Sequence, residues 1–449
     1  MPSTPTTSSD LAVVVLAAGQ GTRMRTGRAK VLHPLAGRSL LDHVLAAAAP
    51  LEPARTVIVV APETRDEIAT AMAEGVAIAV QDPPRGTGDA VRCALPHLPA
   101  DGTLLVLYGD TPLLRPATLA ALLAARQAAD AAVAVLGMRP PDTRGYGRLR
   151  FAGDDLVELI EGRHADPELL ATGLCNFGVM AVDARRLGTL LEGIELRPEK
   201  DEYYLTDIVA LAHRQGWRCV GVEGPWQDGV GVNSQTQLAE AEALMQARLR
   251  AAALEAGVTM TAPETVFLSF DTRLAPGCRI EPYVVFGPGV SVEAEAQILP
   301  FSHLTGAAIG PGALVGPFAR LRPGTRLLRG AKIGNFVEAK NTELGAGAKA
   351  NHLTYLGDTT VGAGANVGAG TITCNYDGFG KHRTEIGEGA FIGSNTALVA
   401  PIRVGERAIT AAGSTLTEDV SDDALAAARA PQTEMPDGAA RFRARRRRS

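Results

Sequence analysis

The sequence predicts an α/β protein in two parts, a Rossmann-like N-terminal domain and a C-terminal parallel β-helix of hexapeptide repeats, with a long helix between them. Three observations predict it. Short apolar runs alternate with amphipathic stretches from residue 11 to about residue 233. A run of strong helix formers, SQTQLAEAEALMQARLRAAALEA, follows over residues 234–256. Beyond Pro263 aliphatic residues recur every six positions, a period too long for strand alternation and fitting no helix.

LAVVVLAAG, RTVIVVAP, GTLLVLYGD and AAVAVLGM each read as a buried strand bounded by turn residues. Helical segments lie between them, among them residues 40–49 and 117–129. Parallel strands need crossover connections, so this alternation implies a mostly parallel sheet. In residues 234–256, Ser234 is placed to cap the start of a helix and Gly257 its end. The same stretch reads alternatively as the last helix of the first domain.

The six-residue period runs through Ile280, Phe286, Val292, Ile298 and Leu304, slips by one, and continues through Ile309, Val315, Leu321, Leu327 and Ile333. It returns at Val361 and Val367, then at Ile386, Ile392, Leu398 and Val404. Glycine follows many of these directly, as at Gly287, Gly310, Gly334 and Gly393. The pattern fits a prism whose core takes each aliphatic side chain, with small residues at corners where the backbone turns sharply. Two stretches are expected to depart from it. Between Ile333 and Val361 the repeat reads as irregular and carries KNTELGAGAKANHLTYLGD; between Val367 and Ile386, TCNYDGFGKHRTE reads as a loop. Polar clusters at such departures mark a binding face. The expected boundaries are 1–233, 234–256 for a linker helix, 257–430 for the β-helix, and 431–449 for a basic, mobile tail ending RFRARRRRS.

At 449 residues the chain has room for two or three domains with real cores. With 46% apolar and 21% charged residues and a net charge of −5, neither nucleic acid nor a membrane surface is an expected partner. Gly is abundant at 49 residues and aromatics are scarce at 4%, which favours many tight turns over an ordinary helical core. Cys93, Cys175, Cys219, Cys278 and Cys374 are far apart and contain no CxxC pair. They read as reduced thiols of a cytoplasmic protein. The start, MPSTPTTSSD, has neither the basic nor the apolar region of a signal peptide, and no run of 18 apolar residues occurs.

The chemistry begins at VVLAAGQGTRM, residues 14–24. Met24 stands where a dinucleotide fingerprint needs its third glycine, and GxxxxGK[ST] is absent. What remains is a flexible backbone after a strand, the guanidinium of Arg23, and Lys30 a few residues on. Backbone N–H groups with Arg and Lys suit a polyphosphate, although a plain strand-to-helix turn would also look this way.

LAAGQGTRM followed by Lys30-Val31-Leu32 resembles the signature of sugar-1-phosphate nucleotidyltransferases. Joined to a β-helix carrying NHLTYLGD and GAGTITCNYDG, the chain resembles, from about residue 11 to 432, the bacterial bifunctional N-acetylglucosamine-1-phosphate uridyltransferases/glucosamine-1-phosphate acetyltransferases. The resemblance implies a left-handed β-helix and two activities. One acetylates glucosamine 1-phosphate with acetyl-CoA; the other transfers UMP from UTP to N-acetylglucosamine 1-phosphate. The product, UDP-N-acetylglucosamine, would feed peptidoglycan and lipopolysaccharide synthesis. For the uridylyl site it implies Leu16, Ala17, Ala18 and Gly19 on the nucleotide, with Arg23 and Lys30 on the phosphates. Gln81, Gly86 and Thr87 would read uracil, and Tyr108, Gly109 and Asp110 would also bind the nucleotide or nucleotide sugar. Asp110 and Asn233 would hold Mg²⁺, two hard oxygen ligands that leave other positions to phosphate and water. Gly147, Glu161 and Asn176 would hold the sugar. The chain departs from the family at EGRHADPE after the glutamate, at Phe177 in NFG, at Asp89 where histidine is usual, and at Ser234.

For the acetyl site the resemblance implies His352 as general base, with Tyr355 and Asn366 beside it. Arg322 and Lys340 would bind the phosphate of glucosamine 1-phosphate. Asn375, Tyr376, Ala369, Ser394, Ala412 and Arg429 would line the acetyl-CoA path, small residues letting the pantetheine arm run close to the backbone. The family's packing implies a homotrimer with sites between subunits. The alternatives are a uridyltransferase whose β-helix is only an oligomerising prop, and a non-catalytic regulatory or scaffold subunit on the same fold.

Overall fold

The computed structural model describes residues 10–19, 21–72 and 75–447, so the start over residues 1–9, read above as lacking a signal peptide, Gln20 of the glycine turn, and the last two residues of the tail lie outside the described residues. The chain divides into two units, Met1–Ala247 and Arg248–Ser449.

The apolar runs of the first unit have no polar alternation because both faces of their sheet are covered. Strand β1 (Leu11–Ala17) turns Ala12, Val14 and Leu16 into one core and Val13, Val15 and Ala17 into another. Beside it lie β2 (Arg55–Val60), β3 (Ala77–Val80) and β4 (Thr103–Tyr108). Further along are β5 (Val133–Met138), the hairpin β6 (Arg148–Ala152) and β7 (Asp155–Ile160), then β8 (Cys175–Asp183) and β9 (Cys219–Glu223). The strand order is β9-β5-β8-β4-β1-β2-β3, with the hairpin attached to β8 through β6. Only β8 runs against its neighbours in that path. The chain therefore leaves β1 toward β2 on one side and returns to β4 on the other, which opens a crevice at the carboxyl ends of β1 and β4. Helices α1 (Leu40–Ala48), α2 (Gly86–Ala94) and α3 (Pro116–Ala128) cover the sheet.

A 21-residue helix, α4 (Gln235–Glu255), follows. Ser234 Oγ accepts from the Gln237 amide at 3.3 Å, and Gly257 closes the other end at φ +91°, a left-handed conformation that favours glycine.

The second unit is a left-handed parallel β-helix with three walls of 10, 8 and 8 strands. The first wall runs from Thr259–Met260 to Leu425–Ala426, the second from Val285–Phe286 to Thr415–Leu416, and the third from Arg273–Leu274 to Ile402–Val404. Every aliphatic residue of the six-residue pattern is buried. Like stacks on like: on the first wall Ile298, Val315, Ile333, Ala350, Val367 and Ile392 are direct neighbours in successive coils.

One expectation needs correction. The repeat is not irregular between Ile333 and Val361; Ala339, Leu344, Ala350 and Leu356 fill the core positions at 0% exposure. Alanine at two of four core positions removed the hydrophobic contrast on which periodicity is read. The later break is real. Thr373 takes a core position, its hydroxyl accepting from the Gly357 amide at 2.8 Å, and a loop follows before Ile386 resumes the coil. Asp377 ties that loop together by accepting from the Phe379 and Gly380 amides at 2.8 and 2.7 Å. The glycines after the core aliphatics also have a different reason from the one expected. Gly334 and Gly393 are not left-handed; a Cβ there would lie 1.9 Å from Asn351 O and 2.5 Å from Ala412 N. The next coil's backbone leaves no room for a side chain. At the end of the chain a short helix, α5 (Gly438–Arg446), is exposed on every side.

Candidate active sites

The crevice of the first unit contains a cavity of about 450 Å³. Leu16, Ala17, Ala18, Gly19, Lys30, Gln81, Gly86, Thr87, Tyr108 and Asp110 all line it. A second cavity of about 540 Å³ holds Glu161 and Asn176 with Asn233. The two share Thr87, Tyr108, Asp110 and Glu202. Asp110, at the carboxyl end of β4, therefore faces both chambers.

Lys30 joins the parts. Its Nζ donates to Asp110 Oδ2 at 2.5 Å and to Asn233 Oδ1 at 3.0 Å. Residues 80 and 203 positions away in the chain thus turn hard oxygens onto one positive charge. Asn233 is held by its own amide, which donates to Gln237 Oε1 at 2.9 Å, and the Val232 amide donates to Asp110 O at 2.8 Å. Burial and the Asp110 charge push the Tyr108 phenol up to about 12, so it stays protonated near neutrality. Gly109 donates its amide to Leu16 O at 3.0 Å, locking the ends of β1 and β4 together.

The geometry is compatible with a divalent cation held by Asp110 and Asn233. Both present oxygen, both already face a common cation, and carboxylate and amide oxygens are the donors Mg²⁺ takes. Among the described residues no group of three or more His, Cys, Asp or Glu is placed to hold a metal. Such an ion would draw most of its ligands from substrate and water.

Other expected residues stand apart. Arg23 is exposed on a short 3₁₀ turn, Thr22–Met24, and lines neither cavity. Gly147 is in neither lining, but its carbonyl accepts from the Asn176 amide at 2.8 Å and so braces a wall of the second cavity. Phe177 lines the second cavity while packing so closely on Gly229 that a Cβ there would lie 2.3 Å from its ring. Glu202 and Tyr204, in the run DEYYLTD, were not foreseen; their signal in the sequence was a cluster of acidic and aromatic residues.

In the β-helix, one regular coil places residue i beside residue i+17 or i+18, and Asn335 and His352 are 17 apart. His352 Nδ1 lies 2.6 Å from Asn335 Oδ1 across that step. An amide oxygen accepts only, so Nδ1 carries the proton and Nε2 is the acceptor, the form a general base requires. On the second wall Arg322 Nη1 pairs with Glu338 Oε1 at 2.9 Å. Glu338 stands opposite Tyr355 in the next coil, with Lys340 opposite Gly357. The ammonium of Lys381, reaching in from the loop, and the Arg322 charge hold Lys340 below the usual lysine range. Three cations so arranged repel one another and form a ready site for a phosphate dianion. Lys381, Asn335 and Glu338 are the residues that sequence reasoning missed. Tyr355 and Asn375 close over Gly357, where a Cβ would meet Tyr355 Oη at 2.5 Å. Burial raises the Asp358 carboxyl, but hydrogen bonds from Asn341 and Asn375 outweigh it and leave it below the ordinary range.

Ala369, Ser394 and Ala412 lie on one corner in successive coils: the Asn395 amide donates to Ala369 O at 2.7 Å, and the Gly413 amide to Ser394 O at 2.8 Å. They form a ridge without bulky side chains. Asn366 sits one coil beyond Lys349 on the first wall. Tyr376 is exposed and bonds within its own loop, to Gly378 O at 2.7 Å. Arg429 is exposed beyond the last strand.

Residues 13–167 match the family model of the MobA-like NTP transferase domain. Over nearly its whole length the chain is similar to proteins named bifunctional protein GlmU. One from Paramagnetospirillum magneticum is 51% identical over 439 residues, covering 97% of each chain. Those of Azorhizobium caulinodans and Rhodospirillum rubrum are each 53% identical, covering 97% of this chain and 98% of theirs.

Proposed function

The chain belongs to the GlmU family of bifunctional proteins, and on that premise we propose that each of its two units catalyses one step in making a nucleotide-activated amino sugar. The β-helix acetylates glucosamine 1-phosphate with acetyl-CoA. The α/β unit then joins UMP from UTP to N-acetylglucosamine 1-phosphate and releases pyrophosphate. The product, UDP-N-acetylglucosamine, serves peptidoglycan and lipopolysaccharide synthesis. The observation that carries this reading is the pair of chambers meeting at Asp110, with Lys30 bridging Asp110 and Asn233.

UTP occupies the chamber lined by Leu16–Gly19 and Gln81, and the sugar phosphate occupies the one lined by Glu161 and Asn176. Its phosphate oxygen attacks the α-phosphorus as the pyrophosphate leaves. Both reactants are anions, so the site has to supply positive charge more than a base. Lys30 supplies it beside the reacting phosphates, and Arg23 reaches the outer ones. Mg²⁺ bound by Asp110 and Asn233 would neutralise phosphate charge.

In the β-helix Arg322, Lys340 and Lys381 hold the sugar phosphate. His352 Nε2 takes a proton from the amine as its nitrogen attacks the thioester, and CoA leaves as the thiol. The ridge at Ala369, Ser394 and Ala412 carries the pantetheine arm, with Asn375 and Tyr376 beside it and Arg429 toward the CoA phosphates. Asn366 and Tyr355 position the sugar.

The assembly is a homotrimer through the β-helix. Supporting it, Tyr283, Phe301, Phe318 and Phe336 form an exposed stack on one corner, with ring centroids 4.9–5.2 Å apart. Leu353 continues that corner next to His352, and Phe379 is fully exposed at the loop tip. A continuous apolar edge of this kind is what a neighbouring copy covers. Among the described residues no helix is long and apolar enough to cross a membrane. The unpaired cysteines and a demand for UTP and acetyl-CoA support a cytoplasmic location.

The test supplies glucosamine 1-phosphate, acetyl-CoA, UTP and Mg²⁺ and follows CoA thiol and pyrophosphate separately. His352→Ala should abolish thiol release and Asp110→Ala pyrophosphate release, each sparing the other activity. Pyrophosphate from supplied N-acetylglucosamine 1-phosphate, with no thiol release by wild type, would reduce the β-helix to a prop.

A further inference from the structure

Asp89 occupies a position that the reaction does not explain. It lies on α2, partly buried, behind the wall of the nucleotide chamber rather than in its lining. Its Oδ2 accepts from Gln81 Nε2 at 2.8 Å, and the same nitrogen donates to Gly86 O at 2.9 Å. Both N–H bonds of the Gln81 amide are therefore taken by acceptors of the protein, one of them, Asp89, outside the chamber lining. Reversing the amide would aim Oε1 at a carboxylate and a carbonyl, two acceptors with no proton between them. Gly86 cannot retreat, because at φ +88° it sits where even a Cβ would lie 2.7 Å from Tyr203 O.

We propose that Asp89 is a positioning residue for base selection: it locks the Gln81 amide so that only the carbonyl Oε1 faces the nucleobase. Gln81 is 3% exposed and lines the chamber, and with Nε2 held by Asp89 and Gly86 its Oε1 is the polar atom left to meet the ligand. An acceptor pairs with the N3–H of uracil. It opposes the N3 lone pair of cytosine, so the lock selects UTP over CTP. A glutamine able to turn over would accept either base, since its two ends have opposite hydrogen-bonding character. This deepens the reading of the chamber as a UTP site and rests on it.

The experiment measures pyrophosphate release with UTP and with CTP, at saturating N-acetylglucosamine 1-phosphate and Mg²⁺, for wild type, Asp89→Asn, Asp89→Leu and Gln81→Ala. Asp89→Asn is isosteric and can itself turn to match a reversed Gln81, so it keeps the fold while removing the carboxylate half of the lock and leaving only the Gly86 carbonyl. The expected result is a fall of about tenfold in the UTP-to-CTP ratio of kcat/KM, the worth of one buried hydrogen bond. The fall should lie in KM for UTP, with kcat within about twofold, because the reacting phosphates are untouched. Asp89→Leu should lower the ratio at least as far, and Gln81→Ala should abolish most of the preference. If Gln81→Ala loses the preference while both Asp89 variants keep it, the lock is wrong and the UTP chamber stands. If Gln81→Ala also keeps it, Gln81 does not read the base and the proposal falls with that reading.

Discussion

His352 and Asn335 face each other across a single coil, Nδ1 to Oδ1 at 2.6 Å, although 17 residues separate them in the chain. Asn335 sets the tautomer of the imidazole and so decides which nitrogen meets the substrate amine. Replacing it with alanine should lower kcat for acetyl transfer about tenfold while changing KM for glucosamine 1-phosphate little, because a base in the wrong tautomer still leaves the phosphate grip intact. Thiol release checks this, and Asn335→Asp, which retains an acceptor, should recover part of the rate.

Lys30→Met removes the ammonium that Asp110 and Asn233 share. Uridylyl transfer should fall by roughly 10²–10³ in kcat, the usual cost of losing a donor aimed at developing charge. Acetyl transfer by the same preparation should be unchanged, as the two product assays read separately.

Lys340 carries the clearest pH signature. Its pKa is lowered by Lys381, so as pH rises it loses its charge sooner than a lysine at the ordinary value near ~10.4. Affinity for the sugar phosphate should accordingly weaken at a lower pH in wild type than in Lys381→Ala, where Lys340 returns toward the usual range. At neutral pH the same variant should bind about tenfold more weakly through loss of one charge-assisted contact. Calorimetric titration with glucosamine 1-phosphate at several pH values reads both effects, and the ligand's own titration cancels between the two proteins.

Gly393→Ala tests the corner ridge. The new methyl would lie 2.5 Å from both Ala412 N and Thr410 O, backbone that cannot step aside. A cost of about 1–3 kcal/mol in unfolding free energy is expected, with a raised KM for acetyl-CoA. Urea unfolding and thiol kinetics measure these, and pyrophosphate formation at 25 °C is the control that should not move.

What the sequence determined by itself was whatever depends on local pattern. Val13 and Val14 could be assigned to a buried parallel strand because an unbroken apolar run has no other stable place. Ile298 and Val315 could be placed in a prism because large aliphatics repeat at a period only a β-helix uses. The glycine turn and Lys30 could be placed in one cavity because they are neighbours in the chain after the same strand. The period vanished at Ala339 and Ala350, where the core is filled by side chains too small to stand out from their surroundings. Only the tertiary structure decided which distant groups meet. Lys30 finds Asp110 because β1 and β4 lie side by side at the reversal of strand order, and Asn233 because the neighbouring Val232 amide is bonded to Asp110 O. Asn335 finds His352, and Glu338 finds Arg322 two residues out of register, because each regular coil of the prism returns the chain to the same wall 17 or 18 residues later. Asp89 could be read in the sequence only as a departure; that it holds both N–H bonds of Gln81 with Gly86 is a fact of orientation, which no linear pattern encodes.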